Sequence, residues 1–165
     1  MSNKTILFVF IALMCGTFGC GESTSTEPHA ASASSVEKAA ILATLNEETA
    51  AFFLRDYQAW QECWLHESFI AKSYMILTDS SLSETLGWEA IDDFGRTYLS
   101  EHPEPETPPQ PLEQAEIRLY GTGAWVTYEQ DDPARGPKRE SRLMEKVEGK
   151  WKIAGMQTTI YGKRK

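Results

Sequence analysis

The chain has 165 residues, and its 24 acidic against 16 basic side chains give a formal charge of −8. That balance excludes a nucleic-acid surface, which needs a clustered basic face. Three cysteines and three histidines, scattered along the chain, exclude a disulfide framework and a structural zinc site, and no metal or cofactor is expected.

Residues 1–19 carry Lys4, an apolar run from Ile6 to Met14 and small residues before Cys20, the pattern of a secretory signal peptide. The run falls short of the roughly 20 apolar residues that cross a bilayer. Gly19 and Cys20 resemble the end of a bacterial lipobox, with Thr17 at the position usually held by Leu, Val or Ile. That resemblance implies a lipidated Cys20 and a membrane-anchored chain outside the cytoplasm; the alternative is ordinary cleavage and a secreted soluble protein. Residues 20–35, rich in Ser, Thr, Ala and Glu, are expected to form a flexible tether.

Residues 36–161 suffice for one domain with its own core. Ser34 and Glu37 have capping-box spacing, so a first helix is predicted to start near Val36, gathering Ile41, Leu42, Leu45, Phe52 and Phe53 on one side. Asp56 is placed to cap a shorter second helix bearing Tyr57, Trp60, Cys63 and Trp64. Phe69 to Thr78 is predicted to be a strand, Asp79 to Ser81 a turn, and Thr85 to Ser100 a third helix with Trp88, Ile91, Phe94, Tyr98 and Leu99. Five prolines between Pro103 and Pro111 then impose an extended connector.

Beyond the connector the hydrophobic period changes to 2. Ala115, Ile117 and Leu119, then Ala124, Val126 and Tyr128, mark a hairpin turning at Gly121 to Gly123, and Asp131 to Pro137 is expected to be a polar loop. Two further strands, about Arg139 to Val147 and Trp151 to Tyr161, meet across Glu148 and Gly149, where glycine supplies a positive φ. Residues 162–165 end the chain in a basic tail. Three helices followed by a four-stranded antiparallel meander make an α+β fold with helices on one sheet face.

The segments Arg55 to Trp64, Gly87 to Phe94 and above all Glu145 to Thr159, with its turn followed by Trp151, Lys152 and Ile153, resemble the SnoaL-like branch of the nuclear transport factor 2 superfamily. The resemblance implies a cone in which three N-terminal helices pack on a curved antiparallel sheet and leave a pocket. Members use that pocket for isomerisation, cyclisation, dehydration or plain binding, so the fold does not choose the function.

Proton-transfer members place an acid or histidine in the pocket, and three residues are candidates for a general base. Glu48 lies near the stripe of Ile41, Leu45 and Phe52; Glu145 alternates between Leu143 and Val147 on the face predicted to be buried; His66 follows the aromatic helix. The last strand, Met156 to Thr159, offers no carboxylate or histidine, which weighs against an enzyme of the polyketide-cyclase or isomerase type. Tyr57, Trp60, Trp64, Tyr74, Trp88, Tyr98 and Met156 are candidate walls for a small apolar ligand. A homodimer through the outer sheet face is the third expectation.

Overall fold

The structure, a computed structural model, describes residues 27–132 and 135–162. The signal peptide, Cys20 and residues 163–165 of the tail lie outside the described residues. The elements are α1 (Glu27–Leu54), α2 (Tyr57–Glu62), β1 (Ala71–Ile76), β2 (Ser81–Leu86), α3 (Trp88–Glu101), β3 (Glu116–Tyr120), β4 (Gly123–Asp132), β5 (Gly136–Val147) and β6 (Lys150–Ile160).

Helix α1 begins at Glu27 rather than near Val36, so residues 27–35 are helical where a flexible tether was expected. The run holding Ala30, Ala31 and Ala33 favours helix, and Pro28 falls in the first turn, where no amide donor is needed. Ser34 is therefore inside the helix and not its cap. Glu37 instead reaches the sheet, accepting from Lys146 Nζ at 2.6 and 2.8 Å and from Trp151 Nε1 at 2.7 Å. Ile41 and Leu45 enter the core from the same stripe that carries Glu48.

Helix α1 ends at Arg55, which takes a left-handed φ of 65°. Its guanidinium donates to Phe52 O at 3.0 Å and His102 O at 2.6 Å and pairs with Glu106. Asp56 caps α2 as its position predicted, accepting from Ala59 N at 3.0 Å. Beyond α2 the chain hydrogen-bonds to β6, Ile153 N donating to Cys63 O at 2.8 Å and Leu65 N to Ile153 O at 2.9 Å. A bulge in β6 at Ala154 accompanies this contact, since Leu143 pairs with Gly155 and Met144 with Ile153.

The sheet is curved and has six strands in the order β2-β1-β6-β5-β4-β3: the expected four-stranded meander, the strand expected over Phe69 to Thr78, and one strand, β2, that was not expected. Strand β2 lies where a turn and the start of the third helix were predicted, and α3 starts at Trp88 after Gly87 (φ 78°). Because β2 is an edge strand whose side chains are exposed or half-buried, no apolar alternation marks it. The sheet is also not wholly antiparallel. Strand β1 runs parallel to β6, filling the edge that the β3 to β6 meander leaves open. The loop expected over Asp131 to Pro137 is shorter, with β4 reaching Asp132 and β5 starting at Gly136.

The proline-rich connector is tied back to α1. Asn46 accepts from Leu112 N at 2.7 Å and donates to Leu112 O at 3.1 Å, and Glu106 N donates to Phe53 O at 2.9 Å.

Candidate functional site

The concave face of the sheet is best read as two cross-strand rows. Register places Val126, Arg142, Met156 and Lys72 in one row across β4, β5, β6 and β1, and Tyr128, Glu140, Thr158 and Tyr74 in the next. Paired residues project to the same face of a sheet, so these side chains meet inside the cone. Helix α1 adds Glu48 from above. Glu48, Lys72, Glu140, Arg142 and Thr158 are each at most 7% exposed.

Glu140 is the hub. Its Oε2 accepts from Arg142 Nη2 at 2.6 Å, Arg142 Nε at 3.1 Å and the Tyr128 hydroxyl at 2.8 Å, while Oε1 accepts from Lys138 Nζ at 2.6 Å. Glu48 Oε1 accepts from the Trp60 indole at 3.1 Å, and its Oε2 stands 3.8 Å from Arg142 Nη2. Lys72 has no carboxylate within ion-pair distance among the described residues. Its ammonium rests on the Phe94 ring, 3.8 Å from the centroid, and 5.4 Å from that of Tyr74.

Burial alone would raise the Glu140 carboxyl, but Arg142 and Lys138 outweigh it and hold the group down at about 2. Burial depresses the Lys72 ammonium to about 8, only partly opposed by Glu48. Burial likewise pushes the Cys63 thiol up to about 12, so it remains protonated and unreactive. Among the described residues three buried donors lack a partner: Arg142 Nη1, Thr158 Oγ1 and Trp64 Nε1. An interior with spare donors is suited to a ligand that brings acceptor oxygens.

Of the three candidate bases, the fold brings only Glu48 into this interior. Glu145 does not lie on the buried face: the register of β5 sends Met144 inward, fully buried, and leaves Leu143 46% exposed on the outward face with Glu145 and Val147. The inward phase of β5 is the charged one, Lys138, Glu140, Arg142 and Lys146, so choosing the buried face by hydrophobicity selected the wrong side. His66 is exposed, its ring stacked on Trp88 at 3.9 Å and its Nε2 2.9 Å from Gln61 O.

The aromatic candidates divide into groups. Trp60 and Trp64 are fully buried and 6.1 Å apart, Trp88 stacks on Trp60 at 6.0 Å, and the Tyr57 hydroxyl donates to Asp92. Tyr74 and Met156 lie on the concave face, half-buried. Tyr98 stands apart, stacked on Phe52 at 5.2 Å. Lys72, Phe94, Tyr128, Glu140, Arg142 and Thr158 were not among the site candidates. The available signal was the alternation of opposite charges at Lys138, Glu140 and Arg142, which share one face of a strand.

The surface of the described residues includes two clefts. One of about 330 Å³ runs along α3 past Asp93, Phe94, Thr97 and Tyr98, bordering the ring that covers Lys72. The other, about 420 Å³, lies on the outward face between Arg118, Tyr120, Trp125 and Arg139. Among the described residues no cluster of His, Cys, Asp and Glu could hold a metal, and no helix is long and apolar enough to cross a membrane.

No protein-family model matches the chain, and comparison with curated proteins gives no match. Solved structures do share its fold. A cystatin-like fold protein from Burkholderia xenovorans LB400 is 18% identical with a TM-score of 0.57, the match covering 76% of this chain and 92% of that one. An NTF2-like protein of unknown function from Silicibacter pomeroyi DSS-3 is 16% identical with a TM-score of 0.56, over 77% and 98% of the two chains. An NTF2-like protein with a cystatin-like fold from Novosphingobium aromaticivorans is 12% identical with a TM-score of 0.56, over 84% and 91%. The fold of this chain is thus that of the nuclear transport factor 2-like proteins.

Proposed function

We propose that this chain is an extracytoplasmic, lipid-anchored domain of SnoaL-like type that binds a small ligand on the concave face of its cone and performs no reaction on it. One observation carries the proposal: Glu48, Lys72, Glu140, Arg142 and Thr158 are buried together with donors left unpartnered. Burying charge costs more desolvation than an ion pair returns, and apolar residues of similar volume would hold such a core at least as well. Recognition of a polar group explains their presence where stability does not.

Binding is preferred to catalysis because the interior carboxylates are already engaged: Glu48 accepts from the Trp60 indole and faces Arg142. Glu140, held at about 2, is too weak to abstract protons near neutrality, and Glu145 and His66 lie outside the cone. The half-buried Tyr74 and Met156 supply apolar wall beside the polar groups, as small-molecule sites do.

A thermal-shift screen on protein extracted from membranes tests both parts. A midpoint that rises with ligand concentration is expected for at least one small amphiphile, and no rise across a broad library would remove the binding function. The intact mass of the same sample should carry a lipid on Cys20; an unmodified Cys20 would remove the anchor.

A further inference from the structure

Resting on the ligand-binding proposal above, we infer that the ligand is a monocarboxylate with a compact apolar body, its carboxylate held between Lys72 and Arg142 with the Thr158 hydroxyl donating to it. Register is the first ground. Lys72 and Arg142 flank Met156 in one row, two strands and therefore about 10 Å apart at the backbone, a span that two long cationic side chains can close around one carboxylate. Thr158 lies in the adjacent row, paired with Glu140 and Tyr74 and thus diagonal to both cations.

Unused donors are the second ground. Arg142 spends Nε and Nη2 on Glu140 and leaves Nη1 without a partner, and Thr158 Oγ1 is likewise unpartnered. Both side chains belong to residues at most 3% exposed. Water cannot reach such groups freely, so each unpaired donor is costly until an acceptor arrives. A carboxylate can meet a guanidinium edge, an ammonium and a hydroxyl together.

Charge is the third ground. Within the set Lys72, Lys138, Arg142, Glu48 and Glu140 the cations exceed the carboxylates by one, and among the described residues Lys72 is the one of these three cations with no carboxylate within ion-pair distance. One bound carboxylate neutralises the set. The cleft along α3 is bordered by Phe94, and Met156, packed against the core between the two cations, has a flexible thioether that can give way to an apolar body. Phe94, 41% exposed on α3, covers the Lys72 ammonium and is the group that the carboxylate displaces.

Paired probes separate the class of ligand from binding itself. Benzoate, phenylacetate and octanoate are titrated calorimetrically against the full chain beside benzamide, phenylacetamide and octanamide, which keep each apolar body and lose the charge. At least one carboxylate should bind tenfold or more tightly than its amide. Lys72→Met, which keeps the stem and removes the charge, should abolish that preference, and Thr158→Val, which keeps the shape and removes the hydroxyl, should reduce it severalfold. Circular dichroism verifies that each variant is folded, so either one suffices if the other fails. Amides binding as tightly as carboxylates, or a preference that survives both substitutions, would overturn the carboxylate site while leaving the binding function standing. Binding by neither set would overturn the carboxylate site, the binding function being decided separately by the library screen.

Discussion

At the scale of single residues, Glu140 concentrates the electrostatics of the cone. Its carboxyl is held at about 2 against an ordinary 4.5, so the folded state gains stability that is complete above pH 4.5 and is lost as pH falls toward 2. The difference corresponds to about 3 kcal/mol at neutral pH. Urea denaturation at stepped pH should show this acid loss in the wild type and a flatter limb in Glu140→Gln. The variant should also be weaker at pH 7 by about 3 kcal/mol, because Arg142 keeps its charge but loses its counter-ion. An unchanged acid limb would mean that Glu140 is not the group that titrates. Nothing local distinguishes Glu140 from Glu145, five residues on and on the opposite face; neighbours from β4 and β6 make Glu140 interior.

At the scale of elements, α2 was legible because everything that defines it is local: a capping aspartate and aromatics at helical spacing. Its seating is not local. Gly95 of α3 crosses the Trp60 ring, and a Cβ at Gly95 would lie 2.4 Å from it. Gly95→Ala should therefore destabilise by about 1–3 kcal/mol despite alanine's better helix propensity, as a shifted denaturant midpoint with unchanged slope. A stabilised variant would show that the two helices can part at no cost. Strand β2 was illegible for the opposite reason. It is held by backbone hydrogen bonds to β1, and its side chains, including Leu82 and Leu86, are exposed, so no buried face imprints a period on the chain.

At the scale of the whole molecule, the outward face of the sheet carries Trp125, Leu143 and Val147, each more than a third exposed on neighbouring strands. Such a patch is predicted to be covered by a second copy. Sedimentation should show a concentration-dependent dimer that Leu143→Glu converts to monomer without a lower melting temperature; a wild-type monomer at all concentrations would end that prediction. The sequence by itself determined the order of helices and strands apart from β2, the Asp56 cap, the hairpin turn at Glu148 and Gly149 and the α+β class, since hydrophobic period, capping and turn chemistry act within a few residues. Only the tertiary structure decided that β1 lies parallel to β6, that β5 turns its charged side inward, and that Lys72, Arg142 and Thr158 meet. Those are contacts between segments far apart in the chain, whose register is set by packing across the sheet, and no local pattern encodes them.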